Sequence, residues 1–179
     1  MAGLVGGWGL ESNLPPWAMH HQPSQDARNG CMKSPMVYTV SKAFHDFPCA
    51  HRRWRHSGHC ALVHGYSRSF TIVFACSQRD ENGFVFDFGD LKPVKAWLES
   101  QFDHRLCIDA DDPLLPEFRA MEAKGAARLT VFEEVGMEGS AKYVFDWVQA
   151  WVQNQSEGRV WVVSVEAREN AKNAATYRP

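Results

Sequence analysis

The sequence has 179 residues, 45% of them apolar and 22% charged, with a formal net charge of -2. Such a balance fits one soluble globular domain with a tail, and without long runs of Lys and Arg it argues against a nucleic-acid partner. No apolar stretch reaches membrane-span length, and Met1-Ala2-Gly3-Leu4 lacks the basic region and long apolar core of a secretory signal.

Residues 1–35 are punctuated by Gly6-Gly7, Pro15-Pro16, His20-His21-Gln22-Pro23 and Asn29-Gly30 and show no apolar period. This composition predicts a poorly ordered extension before a domain spanning 36–179, and Met32 or Met36 would open a cleaner start. Five cysteines, at 31, 49, 60, 76 and 107, form an odd and scattered set. They predict reduced thiols in a cytoplasmic protein and no disulfide framework.

From Val37 the pattern turns regular. The β-branched and aromatic run from Val37 to Phe47 predicts a strand, and the polar stretch from Arg52 to Gly58 a loop. In the next strand Tyr66, Arg68, Phe70, Ile72 and Phe74 share one face. Asn82-Gly83 signals a turn, with Phe84 to Phe88 expected as the returning strand of a hairpin.

Asp90 is expected to cap a helix that carries Leu91, Val94, Leu98 and Phe102 at helical spacing, with Pro93 in its first turn. A short helix follows over 113–124, ending at Gly125, and then a strand over 128–132. Ala141, Val144, Phe145, Val148 and Val152 predict an amphipathic helix, and 159–167 a last strand. Strands interrupted by helices indicate an α+β fold.

Reactive side chains crowd one segment. Five of the eight histidines lie between residues 45 and 64, among them His51, His56, His59 and His64. Histidines that end one strand and begin the next can meet at a shared sheet end, as zinc requires, or they can be unrelated surface side chains. Cys60, flanked by His59 and four residues before His64, is a candidate thiolate or a buried inert thiol. Asp103-His104 pairs a carboxylate with an imidazole, and Glu169 stands beyond the last strand. A carboxylate there could accept two hydrogen bonds from an amidine-like edge, or could simply be solvated. The basic stretch from His51 to His56 could meet phosphates or form a solvated loop.

In this order the pieces resemble the 6-pyruvoyltetrahydropterin synthase family. The matching motifs are Phe47-x-x-Ala50-His51, Cys60-x3-His64-Gly65, Asp87-Phe88-x-x-Leu91-Lys92, Asp103-His104-x-Leu106, and Glu169 with Ala175 and Tyr177. The resemblance covers residues 37–179. Three residues between the cysteine and the histidine look like the branch that forms 6-carboxy-5,6,7,8-tetrahydropterin in 7-deazaguanine (preQ0/queuosine) biosynthesis.

The resemblance implies a tunnelling fold: an antiparallel sheet with helices on one face, closing into a β-barrel as trimers that stack into a homohexamer, with no nucleic acid or membrane as partner. It implies zinc on His51 and His64, proton chemistry by Cys60, Asp103 and His104, and pterin binding by Glu169 and Glu138. The implied reaction turns 7,8-dihydroneopterin triphosphate into 6-carboxytetrahydropterin, acetaldehyde and triphosphate.

Two departures stand out. The family's His-Gly-His reads His64-Gly65-Tyr66, which leaves Tyr66, His56, His59 or water as the third metal ligand. The family's Pro-Thr-x-Glu-Asn reads Val135-Gly136-Met137-Glu138-Gly139. A related enzyme acting on another dihydropterin and a metal-free pterin-binding relative are the alternative readings.

Overall fold

The computed structural model describes residues 36–179; the extension expected over 1–35 lies outside the described residues. Its elements are β1 (Tyr38–His51), β2 (His64–Cys76), α1 (Lys92–Phe102), β3 (Arg105–Asp109), α2 (Leu115–Ala123), β4 (Leu129–Phe132), α3 (Met137–Gln155), β5 (Val160–Arg168) and β6 (Ala174–Tyr177). Six strands form one sheet in the order β4-β3-β1-β2-β5-β6. The α+β class follows.

Alternation builds the central pair. Arg68, Phe70, Ile72 and Phe74 of β2 turn inward, and β1 runs antiparallel to it from Tyr38 opposite Cys76 to His51 opposite His64. A bulge interrupts β1 between Phe44 and Phe47, where Asp46 takes a left-handed φ of 68°. The extra residue lets Phe44 and Phe47, three positions apart, both face the core, which a regular strand would forbid.

Four expectations change. Residues 84–88 do not form a strand, because both edges of β2 are already taken, by β1 and by β5. The Asn82-Gly83 turn itself stands, with the Asp80 carboxylate accepting the N–H groups of Asn82 (3.0 Å) and Phe84 (2.7 Å). The sheet is mixed, not wholly antiparallel, since β3 runs parallel to both β1 and β4. β3 escapes periodicity because four of its five residues are buried, so it shows no polar alternation.

Helices lie on both faces of the sheet, not on one. Val94, Leu98 and Phe102 of α1 join Val144, Val148 and Val152 of α3 in the main core with Phe70, Ile72 and Phe74. Outside that core, Trp97 of α1 stacks on Trp147 of α3 with ring centres 4.2 Å apart and planes 5° from parallel. Phe118 of α2 packs in a second cluster with Leu106, Ile108 and Leu129. On β3, Cys107 belongs to the first cluster and its neighbours Leu106 and Ile108 to the second, so α2 covers the opposite face. Asp87, not Asp90, caps the entry to α1: its Oδ1 accepts the Gly89 N–H at 2.7 Å in a short 3-10 turn, Phe88–Leu91, ahead of the helix. No helix among the described residues is long and apolar enough to cross a membrane.

Candidate active site

The end of β1 meets the start of β2 at a point set by register. His51 stands opposite His64, Ala50 opposite Gly65 and Cys49 opposite Tyr66. Gly65 is needed there, since a Cβ would lie 2.9 Å from the Cys49 carbonyl oxygen. The period of two puts His51, His64 and Tyr66 on the face that carries the main core. Their ring centres are 4.4 Å apart for His51 and His64, 5.7 Å for His64 and Tyr66, and 6.2 Å for His51 and Tyr66.

The two imidazoles are prepared differently. His64 Nδ1 sits 2.7 Å from the Leu62 carbonyl oxygen, which can only accept, so Nδ1 carries the proton and Nε2 keeps its lone pair. His51 is buried, and its Nδ1 has no hydrogen-bond partner. Burial first, then the Arg68 guanidinium and the neighbouring His64 and Arg53 side chains, push the His51 imidazole down to about 3. It is therefore a neutral, unspent donor. These two nitrogens fit a zinc ion in donor type, while among the described residues no third His, Cys, Asp or Glu joins them.

Arg68, next on the same face of β2, is 0% exposed. Its Nη1 donates to Ser140 Oγ at 2.7 Å and its Nη2 to the Val135 carbonyl at 3.2 Å, and its guanidinium lies 5.8 Å from the Phe102 ring centre. Its importance escaped sequence reasoning, although an Arg in an otherwise apolar stripe with Phe70, Ile72 and Phe74 was the available signal. Cys49 and Cys107 form a second unanticipated contact. The two thiols influence each other: the neighbouring Cys49 and burial hold the Cys107 thiol protonated, and Cys107 in turn lowers Cys49.

Other expected site residues are spread around this cluster. Cys60 lies half-buried in a 3-10 turn, His59–Ala61, within the β1–β2 connection. Asp103 and His104 do pair: His104 Nδ1 donates to Asp103 Oδ1 at 2.8 Å. His104 holds a left-handed φ of 54° and its backbone N–H donates to the Pro48 carbonyl at 2.7 Å. Such backbone conformations concentrate at functional positions.

With Pro48, Cys49, Ala50, Gly65, Tyr66 and Ser67, His104 borders an open groove of about 620 Å³. His51 and His64 are not among the residues that line it. Within one chain, the acid–base pair and the imidazole pair are not brought together.

Arg168 of β5 is opposite Ser69, so Glu169 leaves the sheet at the end of β2 that carries Tyr66 and His64. Its Oε1 accepts from the Asn170 and Asn173 side-chain amides at 3.2 and 2.8 Å. Glu138 is exposed in the first turn of α3. The two glycines beside it are sterically constrained: a Cβ at Gly136 would strike the Arg53 guanidinium, and one at Gly139 would strike the Glu134 carbonyl.

The basic loop is spoken for. Arg52 pairs with Asp112 at 3.0 Å, Arg53 with Glu134 at 3.3 Å, and Arg55 with Asp111, which also accepts from Trp54 Nε1 at 3.1 Å. These ion pairs clamp the β1–β2 connection onto the loops after β3 and β4. His56 is used within its own loop, its Nδ1 accepting the Gly58 N–H at 2.9 Å.

The family model for 6-pyruvoyl tetrahydropterin synthase matches residues 39–179. The chain belongs to that family. Among its relatives, the 6-carboxy-5,6,7,8-tetrahydropterin synthase of Aquifex aeolicus is 27% identical over 161 residues, covering 80% of this chain and 99% of the relative. The synthase of the same name from Rickettsia typhi is 37% identical over 68 residues, 37% of this chain and 49% of the relative, so that match spans about half of that protein. In fold the chain resembles a mutant 6-pyruvoyltetrahydropterin synthase of Plasmodium vivax, with a TM-score of 0.58 at 15% identity over 79% of this chain and 98% of that one.

Proposed function

We propose that residues 36–179 form a 6-carboxy-5,6,7,8-tetrahydropterin synthase domain, acting in the cytoplasm on 7,8-dihydroneopterin triphosphate and releasing acetaldehyde and triphosphate. The observation that carries this reading is the opposed His51–His64 pair, ring centres 4.4 Å apart, reached through a loop in which Cys60 precedes His64 by four residues. His51 and His64 would hold a zinc ion, which supplies Lewis-acid polarisation of the substrate's side-chain oxygens.

The remaining steps belong to the chain's own residues. Cys60 removes a proton beside the polarised centre. Asp103 fixes the His104 tautomer with Nε2 free, so His104 can accept and return a proton. Glu169 accepts the pterin's amidine-like N–H pair in place of the Asn170 and Asn173 amides it now binds, and Glu138 lines the same substrate.

In this reading the protein is a homo-oligomer, a dimer of trimers. Two features support assembly. The groove that His104 borders does not include His51 or His64, and β1 pairs with β3 only at Cys49–His51, which leaves the rest of that edge unpaired among the described residues. Incubation with 7,8-dihydroneopterin triphosphate should release acetaldehyde, and Cys60→Ala should abolish that release. Unchanged turnover by Cys60→Ala would remove Cys60 from its role.

One observation favours a second reading, an enzyme of this family acting on another dihydropterin. Gly139 occupies the position of the family's Asn, and there a Cβ would strike the Glu134 backbone carbonyl. Comparing turnover of dihydroneopterin triphosphate with that of sepiapterin separates the two readings.

A further inference from the structure

We propose that Arg68 is a positioning residue for pterin binding: its buried guanidinium, together with the Asp109 carboxylate, clamps Val135 and so fixes where Glu138 stands. The inference rests on reading Glu138 as a carboxylate that lines the pterin.

Val135 is held from both sides. Its N–H donates to Asp109 Oδ1 at 2.6 Å, and its carbonyl accepts from Arg68 Nη2 at 3.2 Å and from Ser140 Oγ at 3.3 Å. Arg68 Nη1 donates to the same Ser140 Oγ at 2.7 Å, so guanidinium, hydroxyl and carbonyl close a triangle. All four residues are buried, Arg68, Val135 and Ser140 completely. Hydrogen bonds to charged groups in such an interior are strong, and losing one is costly.

The turn cannot fix itself. Its helix begins at Gly136, which supplies no side-chain cap, and Val135 and Met137 have no polar side chain to offer. Its geometry is therefore set from β2 by Arg68 and from β3 by Asp109. Glu138 lies between the two clamped residues Val135 and Ser140, in the first turn of α3. Its carboxylate and the Arg53 guanidinium, two residues past His51, both lie against Gly136. Arg68 stands on the strand of His64, four positions further along the same face. One side chain thus joins the His64 strand to the turn that carries Glu138. An apolar residue would suit the stripe of Phe70, Ile72 and Phe74 without the cost of desolvating a charge. What only a guanidinium supplies there is a planar fork of donors that reaches two acceptors at once.

The test uses the full chain and two readouts: acetaldehyde release from 7,8-dihydroneopterin triphosphate, and fluorescence titration with neopterin as the pterin probe. Arg68→Met should raise KM and the neopterin Kd at least about tenfold, while kcat changes by less than about threefold. Arg68→Lys keeps the charge but only one of the two bonds, and Ser140→Ala removes one acceptor. Both should fall between Arg68→Met and wild type.

Coupling separates positioning from mere stability. Glu138→Gln should weaken neopterin binding, and in that background Arg68→Met should add less than about twofold, because both changes act through one carboxylate. Leu98→Ala loosens the core away from the turn and should leave KM unchanged. If Arg68→Met does not fold, Arg68→Lys and Ser140→Ala in the Glu138→Gln background give the same readout. Effects of Arg68 that add fully to those of Glu138→Gln, or neopterin affinity unchanged in every Arg68 and Ser140 variant, overturn the proposal. If wild type binds no neopterin, or Glu138→Gln binds it as tightly as wild type, the reading of Glu138 fails and the inference with it. Coupled neopterin binding without acetaldehyde release sinks the proposed substrate and leaves the role of Arg68 standing.

Discussion

Arg68 and Ser140 meet in the interior, where Nη1 of the first donates to Oγ of the second at 2.7 Å and both residues are 0% exposed. The contact ties the middle of β2 to the first turn of α3. Ser140→Ala strands a buried charged donor, and a buried unsatisfied group costs about 1–3 kcal/mol. Denaturant unfolding should register a loss of that size. A loss below about 0.5 kcal/mol would mean that water or the Val135 carbonyl takes over the bond.

Gly139 is fixed by the Glu134 carbonyl that approaches its α-carbon. Gly139→Ala gains helix propensity but forces backbone against side chain at the start of α3. Overpacking of this kind costs about 1–3 kcal/mol, more than the propensity gain of about 1 kcal/mol. Thermal denaturation should therefore show a lower Tm, where propensity alone predicts a higher one.

The metal-free protein should lose stability in acid through His51. Its folded-state value is about 3 against an ordinary 6.5, with burial as the main cause, so the unfolded chain binds the extra proton in that interval. The stability contributed by the neutral ring is complete above 6.5 and is lost as pH falls toward 3. Tm measured across this window should fall more steeply for wild type than for His51→Gln. Parallel curves would show that the ring is not desolvated.

Asp103 should matter for turnover more than for folding, since the pair it makes with His104 is largely exposed, at 39% and 78% of the two side chains. Asp103→Asn removes the acceptor that fixes the His104 tautomer. A positioned acid–base group contributes roughly 10²–10⁴-fold, so kcat for acetaldehyde release should drop by about 10²-fold or more while Tm barely moves. A change in KM alone would make Asp103 a substrate-binding group.

Leu98 gives the core its reference value. It is fully buried between α1 and the sheet, and Leu98→Ala should cost about 2–5 kcal/mol in denaturant unfolding.

Local sequence determined much of this protein. The alternation of Tyr66, Arg68, Phe70, Ile72 and Phe74 determined β2, the helical spacing of Val94, Leu98 and Phe102 determined α1, and the motif order from His51 to Glu169 determined the family. The first two signals are carried by neighbours along the chain, and the third by the order of short motifs. The tertiary structure decided what depends on partners distant in sequence. It denied residues 84–88 a place in the sheet because β5 fills that edge, and it made β3 a parallel strand buried on both faces. It also committed Arg52, Arg53 and Arg55 to acidic partners on other loops. At the site, the resemblance to the family's motifs named His51 and His64, while register put their rings together with Tyr66 and set a buried guanidinium behind them. Periodicity states which face a side chain occupies; only the folded chain states which charges share that face.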